Sequence, residues 1–375
     1  MISKFILNIK NTISIFKNIK QINNDKPKII FFSEGKSYLK YSYLLIDLIS
    51  KKYPNEIYYV SSDPTDKINN PNIKNIFVGS GILMHYFFLT VKGVNMFMTL
   101  TDLGNTVKKS NYIKNYIYFF HGAVSSTKVY SEAAFDNYDT ILCNGDYHIN
   151  EIEFREKLLN LRKKELIKSG YFYFDYLNNK LNKNILSDEI LIAPSWNRNK
   201  DNFINNKFED IISKILEAGY KVRFRPHPEN IKRSAKYLDK IKQKFTNENF
   251  IFDDNSENYL AFEKAKCLIT DTSGIAIEFL LLLKRPVLYF DDFDKIHNLQ
   301  LEKFKNIGFM EDRIKSQFGN LFKEYDIQNL KEILDNLILN FKNKDEDINE
   351  FVNKNFFNYN NTLIFLEKNL DKILK

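Results

Sequence analysis

The chain has 375 residues, 44% apolar and 15% aromatic, which excludes a disordered polypeptide despite its Asn- and Lys-rich tracts. That length exceeds what one hydrophobic core usually serves and predicts two domains. A formal charge of +8 favours acidic partners, either anionic lipid or phosphorylated substrates; without an RNP-type motif, zinc-finger spacing or Arg-rich arm, no nucleic acid partner is expected.

Residues 1–22 place Ile2, Phe5, Ile6, Ile9, Ile13 and Phe16 at helical spacing, with Lys4, Lys10, Lys17 and Lys20 between and beyond them. This predicts a basic amphipathic helix over 1–25. It has two readings, a helix lying on an anionic membrane surface or one packed on the body of the protein. No small-residue cleavage site follows it, so a signal peptide is not expected. No stretch reaches the ~18 uninterrupted apolar residues of a spanning helix. Both cysteines, Cys143 and Cys267, sit in strand-like apolar runs without disulfide or metal spacing, which suits a reducing cytoplasm.

Short apolar runs at 28–32, 57–60, 73–78, 94–100, 116–120 and 140–143 read as strands. Helical patterns at 39–52, 80–90 and 147–160 separate several of them. The polar segment 178–188 reads as a linker. Beyond it, strands are expected at 190–193, 222–224, 249–252, 267–270 and 286–290, with helices at 203–218, 231–245, 257–264 and 274–283. Two helices are expected after residue 327. Such alternation predicts an α/β protein with two mostly parallel, doubly wound sheets, whose carboxyl ends meet ligand at a central cleft.

Two strand-to-helix junctions carry the chemistry, Arg225-Pro226-His227-Pro228 and Asp271-Thr272-Ser273-Gly274. A helix start offers unpaired N–H groups and a positive dipole end, so hydroxyls, glycine and cationic side chains there suit bound phosphate. Glu278, one turn into the second helix, is placed to reach a ribose. The competing readings are a Pro-bracketed turn and an ordinary helix cap. His121 follows the apolar run 116–120 and precedes Gly122, which puts an imidazole at a strand's carboxyl end with room for an acceptor, as a general base requires. A hydrogen-bonded loop histidine is the alternative. Asp291, Asp292 and Asp294 form an acidic run of the kind that is usually solvated.

In one order along the chain come Ser33-Glu34-Gly35-Lys36, Phe120-His121-Gly122, Gly170-Tyr171, Ala193-Pro194-Ser195-Trp196, the two junctions with Glu278, and Arg285-Pro286-Val287-Leu288-Tyr289. Over residues 28–295 this set resembles the CDP-glycerol glycerophosphotransferase family, which makes teichoic-acid-type polymers. The resemblance implies a GT-B fold of two Rossmann-like domains, an acceptor-side domain at 26–180 and a nucleotide-donor domain at 181–325, followed by C-terminal helices at 326–375. It implies catalytic roles for His121 and for His227, the latter contacting phosphate. Ser195, Arg225, Asp271, Thr272, Ser273, Gly274 and Glu278 would bind the donor, and Glu34 and Gly122 would lie on the acceptor side. Where the family commonly reads Gly-Tyr-Pro-Arg-x-Asp, this chain has Gly170-Tyr171-Phe172-Tyr173-Phe174-Asp175, and a usual serine pair is Ser273-Gly274.

The function implied is transfer of glycerol phosphate from CDP-glycerol to a hydroxyl of a surface-glycan or lipid-linked acceptor, releasing CMP, in the cytoplasm or at the inner face of the cell membrane. No Walker loop or paired metal-binding carboxylates occur, and no metal or cofactor is expected. Two rival readings are a GT-B glycosyltransferase using a CMP-sugar or UDP-sugar, and a non-catalytic membrane-peripheral component of a glycan assembly complex.

Overall fold

The computed structural model describes residues 2–185, 188–196, 203, 204, 207–255, 257–292 and 295–375, with side chains from residue 11 onward. Contacts divide the chain into two units, 1–121 with 130–176 and 356–375, and 122–129 with 177–355.

The first unit contains α1 (Ile2–Asp25), β1 (Ile29–Ser33), α2 (Leu39–Lys52), β2 (Ile57–Ser61), β3 (Ile73–Phe77), α3 (Ile82–Thr90), β4 (Gly93–Met98), β5 (Ile113–Phe119), β6 (Thr140–Cys143), α4 (Asp146–Leu159) and β7 (Glu165–Lys168). Its seven strands are all parallel, in the order β3-β2-β1-β4-β5-β6-β7. The runs Ile29–Ser33 and Ile57–Ser61 are buried at every position, as a sheet covered on both faces requires. On one face Leu45, Ile46 and Ile49 of α2 pack with Phe31, Phe97 and Ile117. Phe87 and Phe88 of α3 meet the ring of Phe32, whose side chain points opposite to that of Phe31.

Following α5 (Phe172–Lys180), the second unit contains β8 (Glu189–Ile192), α6 (Phe208–Glu217), β9 (Lys221–Phe224), α7 (Pro228–Arg233), α8 (Ala235–Lys244), β10 (Phe250–Phe252), α9 (Tyr259–Lys264), β11 (Ala265–Thr270), α10 (Gly274–Leu283), β12 (Val287–Phe290), α11 (Met310–Phe318), β13 (Asn320–Phe322), α12 (Leu330–Asn340) and α13 (Asp345–Asn355). Its strands are also parallel, in the order β10-β9-β8-β11-β12-β13. α6 buries Phe208, Ile211, Ile212 and Ile215 against Ile190, Val222 and Phe224. Each such side chain contributes ~1.5–3 kcal/mol on burial, more than the few tenths that propensity supplies per residue, so packing holds this ten-residue helix.

Several expectations are corrected. Three helices, not two, follow residue 327; the last, α14 (Thr362–Ile373), belongs to the first unit, where Leu366 and Leu370 join the α2 face. The helix expected at 231–245 is two, because Ser234 leaves the helical region with φ −120° and ψ 27°. The segment expected as a linker begins inside α5, and its residues 186 and 187 lie outside the described residues. The expected helix 203–218 starts at Phe208, with 205 and 206 also outside them.

α1 docks on a stripe other than the one its spacing suggested. Ile15, Ile19 and Ile22 are buried, whereas Ile13 and Phe16 are 51% and 44% exposed. Asn18 Nδ2 donates to the Phe77 carbonyl at 2.8 Å, and Lys92 N–H donates to Asn23 Oδ1 at 3.0 Å. The side chains of Ile2, Lys4, Phe5, Ile6, Ile9 and Lys10 lie outside the described residues.

Candidate functional site

In the first unit, His121 stands two residues past β5, at the carboxyl end of the sheet. The rings of Tyr38, Tyr41 and Tyr130 approach its half-buried imidazole with centroids at 5.7, 5.9 and 5.9 Å, all edge-on. His148 is fully buried and stacks on Phe120 at 3.6 Å, while its Nδ1 accepts the Asn144 N–H. That contact pins the residue before His121 and gives His148 a structural duty.

Glu34 follows β1 and accepts a long hydrogen bond from Thr99 Oγ1 at 3.4 Å. Beside it, Asp66 accepts from Ser33 Oγ, Ser61 Oγ and Tyr59 Oη at 2.6–3.0 Å, which locks the ends of β1 and β2 together. Gly122, expected on the acceptor side, is the first residue of a segment that belongs to the second unit.

In the second unit, Asp271 directly follows β11 and is buried. Its Oδ1 accepts the Ser195 N–H and its Oδ2 the Ser195 hydroxyl, both at 2.8 Å. Thr270 Oγ1 donates to the Ala193 carbonyl at 2.6 Å, and Asn230 Nδ2 donates to that of Ser195 at 3.4 Å. The carboxylate therefore closes the loop after β8 onto the end of β11. It is not spent on capping α10.

Ser273 occupies the N-cap of α10 with extended backbone, and its side chain makes no capping hydrogen bond. The first-turn amides of a helix have no acceptor within the helix. Ala276 N–H already donates to the Ser273 carbonyl at 3.1 Å, so with Asp271 committed elsewhere the Ser273 hydroxyl and the Gly274 and Ile275 amides are the donors at this helix start. Thr272 beside them is buried, and so is Glu278, whose Oε2 accepts from Asn258 Nδ2 at 3.5 Å.

Arg225 follows β9, and its N–H donates to the Ile192 carbonyl at 2.9 Å. Its Nη1 lies 3.2 Å from Asp253 Oδ1, and Asp253 also faces Arg223 at 3.6 Å. Arg223 is held in turn by Glu189 through Nε at 2.7 Å and Nη2 at 3.2 Å. Two guanidiniums thus share two carboxylates, so Arg225 is oriented by Asp253 rather than standing as a lone cation. His227 is the N-cap of α7, and its Nδ1 accepts the Glu229 N–H at 3.1 Å. That bond puts the proton of the neutral ring on Nε2, making that edge a donor.

Sequence reasoning missed the Tyr38, Tyr41 and Tyr130 surround, the Glu189–Arg223–Asp253–Arg225 cluster, and Lys295. Burial lowers the Lys295 ammonium, while Asp271 and Glu311 nearby oppose that shift. Asp291 pairs with Lys315 and Asp292 accepts the Glu324 N–H; Asp294 lies outside the described residues. Cys143 and Cys267 are buried, and burial pushes the Cys267 thiol up to about 12. Among the described residues no helix is long and apolar enough to cross a membrane.

Comparison with solved structures shows a likeness of fold. The wall teichoic acid polymerase TagF aligns with a TM-score of 0.64 at 18% identity, covering 100% of this chain and 97% of that one. A histidine-to-asparagine variant of TagF solved with CDPG aligns with a TM-score of 0.62 at 18% identity, over 99% and 95%. The UDP-GlcNAc 2-epimerase of Methanocaldococcus jannaschii aligns with a TM-score of 0.54 at 14% identity, over 87% and 98%. Among curated proteins, the minor teichoic acid biosynthesis protein GgaB of Bacillus subtilis (strain 168) is 24% identical over 226 residues, 53% of this chain. The chain spans 22% of that relative's length. The sequence profile of the CDP-glycerol:poly(glycerophosphate) glycerophosphotransferases matches residues 16–362, and the chain belongs to that family.

Proposed function

We propose that this chain transfers glycerol phosphate from CDP-glycerol to a hydroxyl of a glycan or lipid-linked acceptor. The observation that carries the reading is the start of α10, where Asp271 is occupied by Ser195 and the Ser273 cap is unspent. A pyrophosphate suits those donors. In the reaction the acceptor oxygen forms a bond to the β-phosphorus as the bond to the bridging oxygen breaks. CMP departs with the bridging oxygen, and His121 takes the acceptor proton. Arg225, His227 Nε2 and the α10 start hold the charge that builds on the phosphoryl oxygens.

Peripheral attachment to an anionic membrane is part of the same proposal. It is supported by Ile13 and Phe16 on the outer side of α1, with exposed Tyr86 touching Phe16 at a ring distance of 5.3 Å and exposed Ile82 and Leu89 on α3. Lys17 and Lys20 flank this apolar strip.

Calorimetry tests the donor site. Arg225→Ala, His227→Ala and Ser273→Ala should each weaken CDP-glycerol binding by ~1–3 kcal/mol, since each removes a donor or charge from a desolvated diphosphate. Unchanged affinity in all three folded variants would sink the assignment.

A further inference from the structure

Residues 122–129, Gly-Ala-Val-Ser-Ser-Thr-Lys-Val, follow His121 directly in the chain yet belong to the second unit. They form a strap with little exposure anywhere along it; Ser125 is fully buried, and the Lys128 side chain is 4% exposed.

Polar contacts to residues 297 and 298 and to α11 seat the strap. Ser125 N–H donates to Glu311 Oε1 at 3.0 Å, and Lys128 Nζ pairs with Asp312 Oδ1 at 2.7 Å, both carboxylates lying in the first turn of α11. The Thr127 carbonyl accepts from Asn298 Nδ2 at 2.8 Å, and the Lys128 carbonyl accepts the His297 N–H at 3.1 Å. At its near end the strap touches the candidate phosphate site. A Cβ built on Gly274, the first residue of α10, would stand 3.2 Å from Val124 Cγ1, so a side chain there would press on the strap by a few tenths of an ångström. The charges of both Glu311, the strap's anchor, and Asp271, which holds Ser195, act on the Lys295 ammonium.

Chain connectivity carries the consequence to His121. Three residues span at most ~11 Å, so wherever the units lie, the backbone of His121 stays within that reach of Val124. Misplacing a reacting group by ~1 Å costs up to ~10²-fold in rate.

We propose that Glu311 is a positioning residue for the transfer: by accepting the Ser125 N–H it seats the strap against Gly274 and fixes the backbone from which His121 acts. This rests on His121 being the base. Glu311→Ala should lower kcat at least tenfold with donor and acceptor saturating, leave the CDP-glycerol Kd within twofold, and raise hydrogen exchange across 122–129. Glu311→Gln retains an oxygen that accepts the amide and should stay within threefold of wild type. Glu311→Asp draws the acceptor back by one methylene and, as the milder change should Ala fail to fold, should lose rate with the same unchanged Kd.

A His121→Ala enzyme without turnover beside Glu311→Ala and Glu311→Asp enzymes with wild-type kcat overturns the inference and leaves the base standing. Turnover retained in His121→Ala overturns the base, and the inference with it. A Gln variant as slow as Ala, both folded, would mean that the charge matters and the seat does not.

Discussion

Replacing Asp271 separates its structural duty from the phosphate chemistry proposed beside it. In Asp271→Ala two hydrogen bonds of 2.8 Å to a carboxylate vanish, and a buried Ser195 N–H is left without its acceptor. Bonds to a charged group contribute ~1.5–3 kcal/mol each, and removal of a buried charge returns part of that, so the net loss should be about 3 kcal/mol. Asp271→Asn keeps both contacts in neutral form, because its Oδ1 accepts the amide while its Nδ2 donates to the Ser195 oxygen; it should lose about 1 kcal/mol. Trp196, the only tryptophan in the chain, adjoins Ser195 and reports unfolding of the second unit by fluorescence. With a urea dependence of ~2 kcal/mol per M, the midpoint should fall by ~1.5 M for Ala and ~0.5 M for Asn. Equal shifts in the two variants, or a shift below ~0.5 M for Ala, would refute the clamp.

Three further outcomes concern the first unit. Burial raises the Asp175 carboxyl to about 6 against hydrogen bonding from Thr362, and among the described residues its Oδ2 has no hydrogen-bond partner. A carboxyl raised on folding contributes stability that is full below about pH 4 and lost as pH rises through about 6. Asp175→Asn should therefore be more stable than wild type by on the order of 2 kcal/mol at pH 8 and equal to it at pH 4 in paired urea titrations; a pH-independent difference would refute this. For the membrane face, Ile13→Glu with Phe16→Glu should abolish binding to anionic vesicles in sedimentation without changing the melting temperature. Deleting 1–22 should instead destabilise the fold, because it removes the buried Ile15, Ile19 and Ile22, each worth ~1.5–3 kcal/mol. Undiminished vesicle binding by the double variant would leave the docking face without support.

Strands such as Ile29–Ser33 and Thr140–Cys143 were legible because a parallel sheet covered on both faces demands unbroken apolar runs. β7 and β13 were not, because Glu165–Lys168 and Asn320–Phe322 each hold only two consecutive apolar residues, too short a run to read as a strand. The α1 docking stripe was obscured by isoleucines on two faces of one helix, since periodicity finds a stripe without saying which stripe has a partner. The same limit applies to the site. His121, His227 and Ser273 stand at strand ends and helix starts that local pattern reveals. The Ser195–Asp271 clamp joins residues 76 apart, and the Ser125–Glu311 bond residues 186 apart, distances over which one sequence carries no signal.

Nucleotide release is the most direct measurement. The purified chain would be offered CDP-glycerol, CDP-ribitol, CMP-sugars and UDP-sugars, each with and without glycan and lipid-linked acceptors, and CMP or UDP quantified. A CDP-glycerol transferase with His121 as base should release CMP from CDP-glycerol in an acceptor-dependent manner. His121→Ala should lower that rate ~100-fold or more, the usual size of a general-base contribution. Release confined to sugar nucleotides, or no multiple turnover with any donor, would contradict it.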